Sequence, residues 1–537
     1  MQQFIEKYGD RMVGVLSGFD RLVLRGSPRR LDISYWDPAR QVMVAKGMEE
    51  FLWQNGVLFK HYGDYLKKTS ERVKKASTRA FSEAGLPVIY LREAGVDKDE
   101  YARRVAAERG IRTGPVCVLS VLEPCPTFEY VQSKIVRRKR PCHVLYHYGW
   151  DERLGWMYAR IQTWFPFHIQ IGINGREWLA QQMRQAGLAF QQEKNCFTRI
   201  ADFQRAQELL NRQLQTDWVD LLTGFAQRLN PIHEEIFAKY PTPYYWTCYQ
   251  SEWATDIVFD SGEALQRLMP ALIAHGLLSF HSSDILRFFG KRTTQAGRIP
   301  RNFHGELQTS CKQYEEGERI KFWMDGNSAK AYSKLILTDA AVLRAAETTI
   351  NNVGVFRTYR PAEGGPDDDL QWRKMRKGIA DLHRRAEVSQ QTNNRLIDAL
   401  ASVDDSRRLE ELIADIQKPV NWQGRRVRAL RPLGDDGPLL EAINHGDFLL
   451  NGFRNRDLQA LLYDTPAHSA AEQLRRSAAI SRRLRMLRAH GLIRKVPHTH
   501  RYHVSPNART LLVAILTAAR TTLNQVNQLR SACASSV

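Results

Sequence analysis

The sequence lacks the residue spacings that mark several common kinds of site. No CxxC pair occurs among its seven cysteines, which argues against a zinc finger or zinc ribbon. It has no Walker lysine loop and no GxSxG turn, so neither the use of ATP nor hydrolysis by a catalytic serine is supported. The odd number and wide spacing of the cysteines favour reduced thiols in a cytoplasmic protein.

Long hydrophobic runs are also missing. No stretch approaches the ~20 apolar residues that span a bilayer, and the first residues, MQQFIEKYGDR, are too polar for a secretion signal. We therefore expect a soluble, cytoplasmic protein with no membrane partner. The chain has 537 residues, of which 43% are hydrophobic, so it is long enough for about three or four domains with sizeable cores.

Acidic residues are too few to balance the basic ones. The chain carries 78 Lys and Arg against 58 Asp and Glu, a net charge of +20. Residues 421–537 hold 18 basic and 7 acidic residues, so more than half of the excess lies in the last fifth of the chain. This distribution favours a polyanionic partner, with DNA as the first expectation and RNA as the alternative.

Alternating strand and helix patterns predict an α+β protein with several domains. The predicted domains are an α/β N-terminal domain (1–195), a mainly helical domain (196–295), an α+β central domain (296–420) and a C-terminal domain (421–537).

Two strand pairs are predicted in the first of these domains. Residues 11–25 are expected to form two strands that join at a Ser17–Gly18 turn. Residues 128–150 are expected to form a hairpin whose turn contains Arg137 to Arg140.

The C-terminal stretch 451–505 resembles the winged helix-turn-helix of bacterial DNA-binding proteins. It predicts a short helix capped by Asn455, then a longer helix that ends at Gly491, and then two short strands, LIRKV and RYHVS. The predicted DNA-binding residues are the basic ones of the longer helix and of the strand pair: Arg475, Arg476, Arg482, Arg483, Arg485, Arg488, Arg494, Lys495, His500 and Arg501. Such a helix fits the major groove, where arginine binds phosphate or guanine. The alternative is a domain for protein contacts, whose arginines form a solvated face.

A second resemblance lies in the central domain. Tyr332-Ser333-Lys334, followed by Leu343, Arg344 and Glu347, resembles distantly the tyrosine and Leu-Arg-x-Glu motifs of rolling-circle replication initiators. The resemblance implies catalysis by Tyr332, Arg344 and Glu347, with Mg²⁺ or Mn²⁺ polarising the scissile phosphate. Arg344 and Glu347 are three residues apart, and a β-bulge would bring them to one face of a strand. The alternative is a hairpin with exposed charges.

Two acidic residues suggest another metal site. Glu252 and Asp256 lie four residues apart in a stretch that is predicted to be helical. Side chains with this spacing lie on the same face of a helix. Either Glu306 or Glu347 would provide a third carboxylate. On a solvated helix the same spacing is common without any metal.

Several strings along the chain also resemble a bacterial protein family that occurs in many copies per genome. The resemblance rests on strings such as LSGFDRLVLRG, ARIQTWFPF, KGIADLHRRAEVS and LNGFRNRDL. Many copies imply a mobile element, and hence a recombinase, transposase or replication initiator that binds DNA and nicks it. The alternative is a DNA- or RNA-binding regulator or ribonucleoprotein component without catalysis.

Overall fold

The computed structural model describes most of the chain. The described ranges are 1–29, 42–93, 95–294, 298–314, 317–337, 339–362, 369–401, 409–444, 448, 452–463, 465–497 and 499–520. Helices make up ~41% of the residues and strands ~33%, so the prediction of a mixed α+β protein is confirmed. No helix in the described ranges has both the length and the apolar character needed to cross a bilayer.

Contacts divide the chain into two compact units. The sheet unit comprises Arg11–Arg267 and Cys311–Asn393, and the helical unit comprises Met1–Asp10, Leu268–Ser310 and Asn394–Val537.

The strands occur singly or in runs that are separated by helices. The strands are β1 (Met12–Pro28), β2 (Val88–Tyr90), β3 (Gly114–Val131), β4 (Lys134–Asp151), β5 (Gly155–Gln162), β6 (Ile169–Asn174), β7 (Phe190–Glu193), β8 (Cys196–Ile200), β9 (Tyr244–Phe259), β10 (Leu307–Tyr314), β11 (Gly317–Met324), β12 (Asn327–Ile336), β13 (Ala341–Ile350), β14 (Arg357–Arg360), β15 (Gln371–Lys374), β16 (Val420–Trp422), β17 (Arg425–Val427), β18 (Ile493–Lys495) and β19 (Tyr502–Val504).

The α-helices differ widely in length. They are α1 (Gln2–Tyr8), α2 (Ala45–Gln54), α3 (Tyr62–Glu83), α4 (Lys98–Glu108), α5 (Gly175–Gln185), α6 (Phe203–Asn211), α7 (Trp218–Leu229), α8 (His233–Ile236), α9 (Gly262–Ser279), α10 (Ser282–Phe288), α11 (Leu382–Ala401), α12 (Leu409–Ala414), α13 (Gly437–Ile443), α14 (Asn455–Leu462), α15 (Ala470–Ala489) and α16 (Pro506–Arg520).

One sheet of 11 strands organises the sheet unit. Its order is β10-β11-β12-β13-β9-β1-β6-β5-β4-β3-β2. Neighbours from β11 to β3 pair antiparallel, whereas β2 pairs with β3 in parallel. Strands from all three predicted domains before residue 421 therefore join one sheet, while the predicted boundaries themselves stay a prediction.

The first strand is continuous where a turn was predicted. β1 pairs with β9 through Ser17 and Gly18, so the predicted Ser17–Gly18 turn is wrong. A Cβ at Gly18 would lie 2.6 Å from the side chain of Leu210 on α6, so glycine permits close helix packing at this position.

The hairpin of β3 and β4 is confirmed, but its turn lies earlier than predicted. Gln132 and Ser133 form the turn with φ values of 47° and 64°, which suit a two-residue hairpin loop. Arg137 to Arg140 belong to β4, and the ladder pairs them with Phe128 to Cys125 of β3.

A third correction concerns the predicted helix that carries Glu252 and Asp256. Both residues lie on β9, which runs from Tyr244 to Phe259 and is rich in the aromatic and β-branched residues that favour strands. Because four residues are two strand periods, the two acids still lie on one side of their element.

Candidate functional site

Two candidate regions emerge, one in each unit. In the helical unit, α14, α15 and the β18–β19 hairpin follow one another along the chain, and Ile493 pairs with Val504. The hydroxyl of Ser469 caps α15 by accepting the amide of Glu472 at 3.2 Å. Gly491 follows the helix with φ of 71°, in agreement with its predicted role as the helix-ending residue.

Asn455 has a different role from the predicted helix cap. The N-cap position of α14 is occupied by Arg454, and the side-chain amide of Asn455 donates instead to Ser477 O at 2.8 Å and to Ser481 Oγ at 2.9 Å. Asn455 therefore joins α14 to α15, so these two helices are held by a specific polar contact.

One side of α15 packs into the core and another is open to solvent. Ile480, Leu484 and Leu487 are buried in the hydrophobic cluster of the helical unit. Arg475, Arg482 and Arg485 are exposed, and spacings of seven and three residues place their side chains on one face of a helix. We call these three residues the arginine face.

The other predicted basic residues of α15 have partners within the fold. Arg476 donates to Thr465 O at 2.6 Å, pairs with Glu472, and stacks over the ring of Tyr463. The guanidinium of Arg488 lies 4.9 Å from the ring centroid of Trp422. Arg483 is half-buried. Arg476 and Arg488 therefore contribute to packing, which the sequence did not reveal.

The hairpin adds further positive charge to the helical unit. Arg494 and Lys495 on β18, and His500 in the connection to β19, are exposed. Arg501 is half-buried, and its amide donates to Thr499 Oγ1 at 3.1 Å.

The second region is a cluster of charged side chains in the middle of the large sheet. Its members, which we call the charge cluster, come from β1, α5, β9, β12 and β13: Asp20, Arg176, Glu252, Asp256, Lys330, Lys334, Arg344 and Glu347. Four carboxylates and four basic groups balance one another. Arg344 and Glu347 are the two members that the sequence predicts to be catalytic, whereas no sequence signal identifies the roles of Asp20 and Arg176.

Arg344 is the hub of the charge cluster and is only 1% exposed. Its guanidinium donates to Asp256 at 2.7 and 3.0 Å, to Asp20 at 2.8 Å and to Glu347 at 2.6 Å. Tyr332 lies beside it and donates its hydroxyl to Glu347 at 3.0 Å. The structure thus brings the three predicted catalytic residues together.

A β-bulge makes this arrangement possible. Lys330 pairs with Glu347 and Tyr332 pairs with Arg344, so a two-residue step along β12 spans the same distance as a three-residue step along β13. The register against β9 shifts at the same place, between Arg344 and Ala346. The extra residue therefore brings Arg344 and Glu347 to one face of the strand, although they are three residues apart.

The charges in the cluster are strongly coupled. Burial alone would raise the pKa of Asp20 and Asp256, but neighbouring basic groups, Arg344 above all for Asp20 and Arg176 for Asp256, hold both values well below the usual range. The pKa of Glu347 is also lowered against its burial, by Arg344 first. These three acids are therefore carboxylates at neutral pH.

The pKa values of two acidic groups at the cluster are raised instead. Burial and the charge of Glu347 raise the pKa of Glu252. Burial also raises the pKa of the Tyr332 hydroxyl well above its usual value, although Arg344 opposes this shift. A proton is therefore held tightly on Tyr332 in this arrangement.

Carboxylates of the cluster meet the distance requirement for a divalent cation. One oxygen each from Asp20, Glu252 and Glu347 lies within 4.8 Å of the others, and such oxygens suit Mg²⁺ or Mn²⁺. Asp256, the predicted partner of Glu252, does not belong to this trio; like Asp20, it pairs with Arg176 and Arg344. Because the cluster is already neutral, a cation would fit best together with an anion such as a phosphate.

Comparisons with known proteins add no assignment, because the chain matches no family model, no curated protein and no solved structure. The resemblances to replication initiators, to winged-helix domains and to multi-copy bacterial proteins stay predictions.

Proposed function

We propose that this chain is a nucleic-acid-binding protein of a bacterial mobile element that binds duplex DNA through the winged helix formed by α14, α15 and the β18–β19 hairpin. The observation that carries the proposal is the arginine face. Its three side chains are exposed on a helix whose opposite side is anchored in a hydrophobic core.

The electrostatics and the shape of this region favour a polyanion. A helix of 20 residues is long enough to cross the major groove, and arginine can bind either phosphate or the acceptor atoms of guanine there. Arg494 and Lys495 extend the positive charge beyond the helix, and the exposed His500 lies in the same hairpin. Binding should therefore weaken steeply with salt, because each phosphate contact releases counterions.

Charge reversal tests the proposal directly. We expect Arg482→Glu/Arg485→Glu to weaken binding of a 40-base-pair duplex by about tenfold or more and to reduce the slope of log affinity against log salt by about 2. Fluorescence polarisation with the full chain measures both quantities. The matched control is Arg79→Glu/Arg104→Glu, which changes net charge equally at exposed positions on α3 and α4 of the sheet unit.

Equal loss in both double variants would mean that net charge alone attracts DNA, and it would contradict a binding role for the arginine face. Tighter binding of structured RNA than of duplex DNA would favour a ribonucleoprotein component instead.

A second candidate function is metal-dependent nicking of DNA at the charge cluster. The contact between the Tyr332 hydroxyl and Glu347 favours it, because a carboxylate beside a tyrosine can accept the hydroxyl proton when the oxygen attacks a phosphate. Tyr332 Oη would bond to phosphorus, and Glu347 would take the tyrosine proton. The deoxyribose oxygen that leaves phosphorus would take a proton from water and become a free hydroxyl.

The pKa shifts define what else this reaction needs. The raised pKa of Tyr332 and the lowered pKa of Glu347 both oppose that proton transfer. Mg²⁺ or Mn²⁺, held by Asp20, Glu252 and Glu347, would supply positive charge to the phosphate. Arg344 would help to neutralise the charge that develops on its oxygens.

Nicking of a supercoiled plasmid in Mg²⁺ or Mn²⁺ tests this candidate. We expect EDTA, Glu347→Gln and Tyr332→Phe each to abolish nicking, whereas Tyr249→Phe, an exposed tyrosine outside the cluster, should leave it unchanged. A covalent protein–DNA adduct on a denaturing gel should require Tyr332. If nicking persists in Tyr332→Phe, this tyrosine is not the nucleophile.

A further inference from the structure

A small hairpin of the sheet unit displays two large aromatic rings to solvent. Tyr359 on β14 and Trp372 on β15 are directly paired, and they are 54% and 65% exposed. Their ring centroids lie 5.8 Å apart. Exposed tryptophans are costly because their apolar surface stays in water, so a pair of this kind suggests a binding surface.

The same face of this hairpin carries two positive charges. Arg357 pairs directly with Lys374, next to the ring pair, and both side chains are exposed. Like charges in a directly opposite pair destabilise a hairpin. An anion bound between them would remove this repulsion.

The opposite face of the hairpin is anchored to the rest of the sheet unit. Thr358 and Arg360 are buried there, and Arg360 donates to Lys374 O at 3.0 and 2.7 Å. Just after β15, Lys377 O accepts the amide of Cys248 on β9 at 2.9 Å. The rings are therefore presented on a fixed support, which lowers the entropy cost of binding.

We propose that Arg357, Tyr359, Trp372 and Lys374 form a site for unpaired nucleotides of single-stranded nucleic acid. Aromatic side chains stack on the faces of bases of any sequence, and adjacent cations bind the phosphates. The bases must be unpaired because only then are their faces open to a ring on the protein surface. The site rests on the proposed function only in taking nucleic acid as the partner. It adds a preference for single-stranded nucleic acid that the arginine face does not provide.

An oligothymidylate of 12 nucleotides is the probe for this site. In fluorescence polarisation with the full chain at low salt, we expect Tyr359→Ala/Trp372→Ala to weaken binding by about tenfold or more, since each lost ring removes a stacking contact with a base. Arg357→Glu/Lys374→Glu should also weaken it. Trp372→Phe, which keeps a ring, should retain most of the affinity.

Trp53→Ala is the matched control, because Trp53 is 76% exposed on α2 and lies outside the hairpin. It should bind the oligonucleotide like the unaltered chain. Oligonucleotide binding should also quench tryptophan emission, and the quench should be smaller in Trp372→Phe. Equal affinity of Tyr359→Ala/Trp372→Ala and Trp53→Ala would overturn the inference. Quenching of Trp372 by anionic vesicles or polyglutamate but not by the oligonucleotide would overturn it as well.

Duplex binding separates this inference from the proposed function. Tyr359→Ala/Trp372→Ala should bind a 40-base-pair duplex normally, because the arginine face is unaltered in this variant. Should no duplex bind while the oligonucleotide binds through Trp372, the proposed function fails and the single-strand site stands.

Discussion

Replacing Arg344 by methionine should reveal how strongly the charge cluster depends on its hub. The guanidinium contacts three carboxylates, those of Asp20, Asp256 and Glu347, at 2.6 to 3.0 Å. Its loss changes the cluster from neutral to one net negative charge in a buried setting. Removing one partner of a buried ion pair costs about 3–5 kcal/mol, so we expect Arg344→Met to lower the free energy of unfolding by that amount at pH 7.

The loss in the free energy of unfolding of Arg344→Met should become smaller as the pH falls. In the unaltered chain, Asp20, Asp256 and Glu347 have lowered pKa values. Their stabilising contribution is therefore complete above pH ~4 and disappears only as the pH falls through the lowered pKa values. Without Arg344 these pKa values rise, and the folded variant takes up a proton more readily than its unfolded form. The deficit of Arg344→Met should therefore shrink between pH 7 and pH 5.

Urea unfolding followed by tryptophan fluorescence measures this deficit, because nearly all tryptophans fall in the sheet unit. Arg344→Met/Glu347→Gln, which restores neutrality, should recover part of the loss. Arg205→Met, at an exposed ion pair on α6, should cost under ~1 kcal/mol. A loss below ~1 kcal/mol for Arg344→Met at pH 7, or a deficit that grows on acidification, would refute the reasoning.

Three further substitutions test local features of the fold. Gly175→Ala should lower the free energy of unfolding by about 1–3 kcal/mol in urea titrations, because a Cβ there would lie 1.6 Å from Phe19 O. Gly224→Ala, within α7 and with no atom within 4 Å of the new Cβ, should instead raise it by up to ~1 kcal/mol in the same assay. Ser469→Ala should remove the cap that accepts the Glu472 amide and cost the helical unit about 1 kcal/mol, measured as faster native-state proteolysis of α15.

The elements at residues 455–504 could be predicted well because their signals are local. The spacing of Ile480, Leu484 and Leu487 predicts one buried helix face, and Gly491 marks the helix end within the same few residues. What could not be read locally was which arginines would stay exposed. Arg476 and Arg488 have partners within the fold, and their aromatic neighbours are 13 and 66 positions away.

β9 was assigned to the wrong kind of element for a physical reason. Glu252 and Asp256 are four residues apart, and this spacing shares one face both on a helix and on a strand, so the acid pair could not decide between them. The aromatic and β-branched composition of the surrounding residues was the better signal.

The charge cluster was only partly predictable because it is assembled from distant parts of the chain. Tyr332, Arg344 and Glu347 are close in sequence, and the motif resemblance grouped them. Asp20 and Arg176 join them only through the pairing of β1 with β6 and β9, which no local pattern encodes.

Because of the bulge in β13, residues that are three positions apart can point to the same side of the strand. Asn393 donates to Ala346 O at 3.1 Å and so holds the bulged backbone from the neighbouring helix. A chain with one residue fewer here, and a regular strand, could present the same arginine and glutamate to the same neighbours. Removal of a single residue between Arg344 and Glu347 could therefore leave the chemistry of this sheet face unchanged.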